Sequence, residues 1–186
     1  MDITRILEAD HRTVEDLLAR IERAKGEERQ PFLDELRSSI TGHMTLEEET
    51  LYPAMRRVTG DEAVEEGETE HGLVRRSLEE LCALAPEDPG FGAALDALKA
   101  GIQHHVKDEE GEVFPQLRKE GTEVLTEVAT PFMTKRMELG LPMEPPALAS
   151  AFSKDELVDE AEKAGIDGAS GMKKEELAEA LAGAMR

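Results

Sequence analysis

Four histidines and two glutamates stand at repeated positions along this chain. The segment His43-Met44-Thr45-Leu46-Glu47-Glu48-Glu49-Thr50-Leu51-Tyr52-Pro53 returns 62 residues later as His105-Val106-Lys107-Asp108-Glu109-Glu110-Gly111-Glu112-Val113-Phe114-Pro115, matching without a gap at the His, two Glu, the apolar-aromatic pair and the Pro. Asp10-His11-Arg12-Thr13-Val14 pairs in the same way with Glu70-His71-Gly72-Leu73-Val74 at an offset of 60. The order is lone His, His-x-x-x-Glu, and the same again, as expected of one supersecondary unit, here a helix pair, used twice. Imidazole nitrogen and carboxylate oxygen are donors that suit iron, manganese or zinc. A single cysteine, Cys82, rules out an internal disulfide, a cysteine-based metal site and an iron-sulfur cluster, and reads as a small core residue.

The elements that must position these donors are helical. Ile3, Leu7, Val14, Leu17, Leu18 and Ile21 recur at three-and-four spacing and predict a helix over 3–24, with Asp2 as its cap and Gly26 closing it. A second helix over 31–58 starts at Pro31 and carries Leu33, Leu36, Ile40, Leu51, Met55 and Val58. A third, 61–85, uses Val64, Leu73, Val74, Leu78 and Leu81, and a fourth runs from Asp88-Pro89-Gly90 to about Lys119. Long helices joined by short connections pack as antiparallel neighbours. The expected fold is therefore all-α, an up-down-up-down four-helix bundle with an internal pseudo-twofold repeat. Pro53 and Pro115 should bend or end their helices. A shorter fifth helix over 122–139, interrupted by Pro131, lies across the bundle. The domain reading is a bundle at 1–140, a stiff proline-rich linker at 141–152, and a small helical hairpin at 153–186 opened by the capping box Ser153-Lys154-Asp155-Glu156.

A turn of about 100° per residue sets each polar residue against its own apolar stripe. His11 continues the row of Leu7, Val14 and Leu18, and His71 that of Val64, Val74 and Leu78. His43 and Glu47 continue Leu36 and Ile40, as His105 and Glu109 continue Leu98 and Ile102. His104 and Glu48 project off their stripes. Carboxylates buried among aliphatics cost several kcal/mol each unless paired, and no Lys or Arg stands beside them on those stripes. A cation supplies the missing charge. The metal-ligand set is read as His11, His43, Glu47, His71, His105 and Glu109, and the duplication suggests two metals with Glu47 and Glu109 placed to bridge a gap of about 3.5–4 Å. Glu8 and Glu68, three residues before His11 and His71, are assigned solvated or outer supporting roles.

Composition narrows the rest. With 3% aromatic residues and no Trp the core must be aliphatic. A formal charge of -20 argues against nucleic acid or anionic membrane as a partner. Residues 1–5 do not resemble a signal peptide and no apolar run approaches membrane-spanning length, so a cytoplasmic location is expected.

These motifs resemble the hemerythrin family, in its HHE cation-binding branch. The resemblance covers residues 1 to about 120 through Asp10-His11, His43-x-x-x-Glu47 with Leu51-Tyr52-Pro53, Glu70-His71, and His105-x-x-x-Glu109 with Phe114-Pro115. It implies two iron ions in a non-heme di-iron centre that binds, senses or reacts with dioxygen, nitric oxide or peroxide. An enzyme that decomposes peroxide or reduces nitric oxide, an iron store or donor, and a metal-stabilised adaptor use the same ligands. Where oxygen-carrying hemerythrins have a further His one turn before the position of His71, this sequence has Gly67. The expectation is a site one ligand short and correspondingly roomier. The tail is similar to the helix-loop-helix of SAP and Rho amino-terminal modules, through Glu156-Leu157, Ala164-Gly165-Ile166, Met172 to Leu177 and Ala180-Leu181. That module often binds nucleic acid, but here five basic residues face nine acidic ones, which favours a protein partner or a bundle-capping role.

Overall fold

The computed structural model describes residues 1–141 and 144–184, and among these the chain is all-α, with no strand. Helix α1 spans Thr4–Arg23. Asp2 accepts a hydrogen bond from the Thr4 N–H at 3.2 Å, the capping role expected of it. Gly26, at φ +53°, turns the chain after α1. Helix α2, Gln30–Leu46, carries Pro31 in its first turn, passes through a π turn at Glu47–Leu51 and continues as α3, Tyr52–Thr59. Helix α4 spans Asp61–Cys82. Helix α5, Phe91–Asp108, passes through a second π turn at Glu109–Val113 into α6, Phe114–Glu120. The four rods α1, α2–α3, α4 and α5–α6 form the bundle.

The bends expected at Pro53 and Pro115 take the form of these π turns. Neither proline has an N–H to close an α turn, and just upstream the ladder opens by one residue. Tyr52 N–H donates to the Glu47 carbonyl and Phe114 N–H to the Glu109 carbonyl, each five residues back. The extra residue brings Tyr52 round to the side of Glu47, and Phe114 to the side of Glu109.

Two apolar cores fill the bundle. One gathers Val14, Leu18, Ile21, Leu36, Ile40, Leu78, Leu98 and Ile102 at one end. The other holds Ile3, Ile6, Leu7, Leu51, Tyr52, Met55, Phe114 and Leu117, and continues without a break into the C-terminal helices. Three expectations change here. Leu73 is 51% exposed rather than part of the α4 stripe. Cys82 is exposed, because α4 ends there at the bundle's rim. Helix α7, Thr122–Glu138, runs through Pro131 uninterrupted, held by burial of Val124, Leu125, Val128 and Phe132 against the second core.

Of the stretch read as a stiff linker, Pro142 and Met143 lie outside the described residues. Pro145–Ala151 forms a helix, α8, with its prolines in the first turn where their missing N–H costs nothing. Helix α9, Lys154–Lys163, begins at the expected capping box: Glu156 N–H donates to Ser153 Oγ and Ser153 N–H to the Glu156 carboxylate. Helix α10 spans Lys174–Ala184. Leu148, Phe152, Leu157, Leu177 and Leu181 join the core of Ile3 and Ile6. The Asp2 N–H donates to the Ala151 carbonyl at 2.8 Å, and the chain's amino terminus pairs with Glu156. The tail therefore caps one end of the bundle.

Because tail and bundle share one core, Leu177→Ala should lower the stability of the whole molecule by about 2–5 kcal/mol. Urea unfolding followed by helical circular dichroism should show one shifted transition. An early tail transition with the main one unmoved would contradict the shared core.

Candidate metal centre

The six residues expected from the sequence come together, all buried, where the two cores meet. His11 Nε2 lies 3.2 Å from His43 Nε2, and His71 Nε2 lies 3.3 Å from His105 Nε2. Glu47 Oε2 is 3.2 Å from both His43 Nε2 and His71 Nε2, so it touches both halves of the repeat. Glu109 Oε2 does the same, at 3.4 Å from His11 Nε2 and 3.4 Å from His105 Nε2. Two overlapping donor sets result, His11-His43-His105-Glu109 and Glu47-His71-His105.

The other ring nitrogens settle which atoms face inward. Behind three of the imidazoles stands a carboxylate that accepts the Nδ1 proton: Glu110 for His11 at 2.8 Å, Glu48 for His71 at 2.8 Å and Glu70 for His105 at 3.1 Å. Asp10 stands behind His43 Nδ1 at 3.6 Å. With its proton on Nδ1, a neutral imidazole presents a lone pair at Nε2. Those lone pairs face the lone pairs of Glu47 and Glu109, and neither oxygen of Glu47 nor Oε2 of Glu109 has a hydrogen-bond donor. Acceptors aimed at acceptors in a buried space repel one another unless protons or cations lie between them.

The cation-free protein uses protons. At His105 burial disfavours the charged ring, but the Glu109 charge, the Glu70 hydrogen bond and Glu47 outweigh it and raise the imidazole to about 9. His43 goes well above its ordinary value, against the same burial, through Glu47 and Asp10. His11 is raised through Glu109 and Glu110, again against burial. Glu47, although burial alone would raise it, is held well below its usual range by His43 and His71.

The supporting carboxylates follow the repeat: Asp10 and Glu70 immediately precede one of the inward histidines, and Glu48 and Glu110 immediately follow one of the inward glutamates. The stripe argument passed them over because they face a neighbouring helix rather than the bundle axis. Of the solvated or outer supporting roles expected for Glu8 and Glu68, the solvated one fits: neither stands behind an imidazole. Glu8 pairs with Arg118 at 2.6 Å, and Glu68 is exposed. His104 is 64% exposed at its side chain, as its direction off the stripe implied.

Tyr52 was visible only as part of a motif. Its ring stacks on His71 with centroids 5.3 Å apart, and its Oη lies 3.2 Å from His71 Nε2. Phe114, its counterpart in the repeat, stacks on His11 with centroids 6.0 Å apart. The room expected at Gly67 is taken by this phenol: a Cβ on Gly67 would stand 2.7 Å from Tyr52 Oη and 3.0 Å from Cζ. In the other half Leu7 occupies the place of Gly67 and Phe114 lacks the hydroxyl, so the two changes compensate in volume. Burial, then Glu47 and Glu109, raise the Tyr52 phenol, which therefore keeps its proton in the cation-free protein.

The hemerythrin HHE cation binding domain matches residues 2–117. The chain belongs to this family. The match ends before α7, so α7 to α10 lie outside it. A DNA nickase from Nostoc sp. (strain PCC 7120 / SAG 25.82 / UTEX 2576) is 27% identical over 141 residues, which are 75% of this chain and 40% of the relative. The chain thus spans less than half of that protein's length. No solved structure matches the chain. Family and geometry together make this a metal-binding protein with a buried His/Glu centre.

Two measurements test the geometry. A histidine whose folded value is raised stabilises the fold fully below its ordinary value near 6.5, and that stability is lost as pH rises through the folded value, about 9 for His105. The melting temperature of chelator-treated protein should therefore fall across that window. Added cations, which compete with the protons, should flatten or reverse the fall. Gly67→Ala should displace the Tyr52 ring at a cost of about 1–3 kcal/mol, visible as a lowered melting temperature and a shifted Tyr52 resonance. An unmoved resonance would show that the phenol does not occupy this space.

Proposed function

We propose that the centre holds two iron ions, and that the protein binds, senses or reacts with a small molecule such as dioxygen, nitric oxide or peroxide. Manganese or zinc suits the same donors, and iron is favoured by membership of the family. One position would draw on His11, His43, His105 and Glu109 and the other on Glu47, His71 and His105, so His105 stands between the two. When bound, iron supplies an electron-transferring Lewis acid.

The observation that carries the reading is the space beside the donors. A cavity of about 30 Å³ lies against all four imidazoles, walled by Val14, Ile40, Met44, Val74, Ile102 and Val106. On this measure one water needs about 10–15 Å³, so the space holds a molecule of water size or slightly larger, which suits a diatomic molecule or peroxide. Its aliphatic wall favours an uncharged visitor and holds few groups that could stabilise bulk water there. Tyr52 brings an O–H to the His71 side, while the Phe114 side has none. The outer carboxylates fix ring tautomers and orientations, which raises the basicity of the inward nitrogens.

The same cavity argues against transferring the relative's nicking of DNA to this chain. A space of that size beside donors that are all buried does not admit a phosphodiester, and a net charge of -20 repels one. The helix-loop-helix tail, with its buried leucines turned to the bundle, serves as a cap and leaves its acidic face for a protein partner.

Metal analysis with optical spectra before and after reduction and air exposure tests the proposal. The expected result is about two iron per chain and an oxidised spectrum that changes on reduction and on adding nitric oxide. His43→Ala and His105→Ala should lower metal content and melting temperature together, and His104→Ala should change neither. A protein that purifies with other cations and shows no iron-dependent spectrum would overturn the di-iron reading. Relaxation of supercoiled plasmid by the metal-loaded protein would favour the nuclease reading instead.

A further inference from the structure

The four outer carboxylates are not held alike. Glu110 is paired with Arg12, whose side chain is 54% exposed, and Glu48 with Arg75, 40% exposed. Asp10 is gripped by both terminal nitrogens of Arg136, at 2.6 and 2.7 Å, and that arginine side chain is only 4% exposed. Arg136 lies on α7, 126 residues from Asp10 in the chain and beyond the family-matched segment. Glu70, the counterpart of Asp10, has no arginine partner among the described residues: apart from His105 it meets exposed His104 at 3.4 Å.

The reason for the difference is local packing. The counterpart of His104 in the first half is Gly42, and a Cβ there would stand 2.5 Å from Leu141 Cδ2. The chain leaving α7 covers that face of α2, so no side chain of α2 can support Asp10 from this position. Arg136 comes in from above instead. Residues of the same crossing, Leu141, Glu144 and Ala147, line a cavity of about 90 Å³ with Asp10 and Arg136, which puts the pair at the seam between bundle and tail.

We infer that Arg136 is a positioning residue of the metal centre: its fork fixes Asp10 behind His43 and so ties the docking of α7 to cation binding. A planar guanidinium holds a carboxylate in one orientation, which a flexible ammonium does not. With Asp10 fixed 3.6 Å from His43 Nδ1, its charge favours the ring orientation that turns Nε2 toward Glu47. Linkage then works in both directions: cation binding favours the docked α7, and the docked α7 favours the cation. This rests on the centre holding cations, and the experiment separates the two ideas.

The test uses the full chain with Co²⁺ as the probe, in competition with a chromophoric chelator, on wild type, Arg136→Met, Arg136→Lys, Phe132→Ala and His104→Ala. Phe132 is buried on the same helix but belongs to the apolar core, so its loss weakens α7 without touching Asp10. Removing an outer partner of a metal-binding His weakens affinity by about 10–100-fold. Arg136 acts through Asp10, one contact further out, so Arg136→Met and Arg136→Lys should both show a several-fold loss, smaller than that ceiling, and an altered Co²⁺ absorption spectrum. Phe132→Ala should lower the melting temperature and, through the weakened docking, reduce affinity less than either Arg136 variant while keeping the wild-type spectrum; His104→Ala should change none of these. Hydrogen exchange should show α7 amides protected by Co²⁺ in wild type and not in Arg136→Lys. Wild-type affinity and spectrum in both Arg136 variants would overturn the inference, as would equal losses in Phe132→Ala. Failure of the wild type to bind Co²⁺ would instead remove the metal-centre reading itself.

Discussion

The centre of the bundle is arranged around two buried carboxylates with which no Lys or Arg among the described residues pairs. Glu47 and Glu109 face imidazole lone pairs, so the bundle interior is short of positive charge at its centre. Each imidazole is backed by a carboxylate, and three of those carboxylates by an arginine. Charge therefore alternates outward: the central cation or proton, the His/Glu layer, the acids, the arginines. Alternation of this kind is how a low-dielectric interior tolerates so many ionisable groups, because each layer's desolvation is offset by the next. It also explains why the centre separates two apolar cores.

The alternation depends on backbone geometry that a regular helix would not supply. A straight α-helix would send Tyr52 and Phe114 away from the faces of Glu47 and Glu109. Opening one turn at each site carries the aromatic rings onto His71 and His11. The prolines that follow remove the N–H groups that would otherwise close the regular ladder. The π turn is thus a working part of the repeat, written by Pro53 and Pro115.

The bundle and the inward placement of the six candidate donors were legible in the sequence because helical periodicity is local and the repeat states it twice. What stayed hidden depends on relations between helices. Glu48 points away from its own stripe yet into the neighbouring helix's histidine, and no single-helix projection contains that fact. Tyr52 depends on a hydrogen-bond slip of one residue. Leu73 sits beside Val74 in a pattern that suited the core, but α4 turns it to solvent. Arg136 acts across 126 residues, and nothing in the α7 pattern marks it apart from other exposed-looking charges. The segment around α8 read as a linker because its prolines resemble a break, whereas at a helix start they are no obstacle.

The repeat is symmetric where chemistry needs pairs and asymmetric where the halves do different work. Six ligands and four outer acids obey the two offsets. The departures are Tyr52 with Gly67 against Phe114 with Leu7, and Arg136 over Gly42 against His104 in solvent. Both departures were made at constant packing: the phenol takes the volume that Leu7 fills, and the crossing chain takes the space a side chain on Gly42 would need. A void or a clash at either place would cost about 1–3 kcal/mol, so such changes are tolerated only as compensated pairs. Their consequence is a centre with two distinguishable sides. The small cavity opens on the aliphatic core of Val14 and Ile102, and the phenol lies on the opposite core, with the inward nitrogens between them. On the proposed function, a visitor arriving through the cavity would meet the centre from one direction while the nearest proton donor stands on the other. That separation favours binding and electron exchange over any step that needs a proton delivered directly to the visitor.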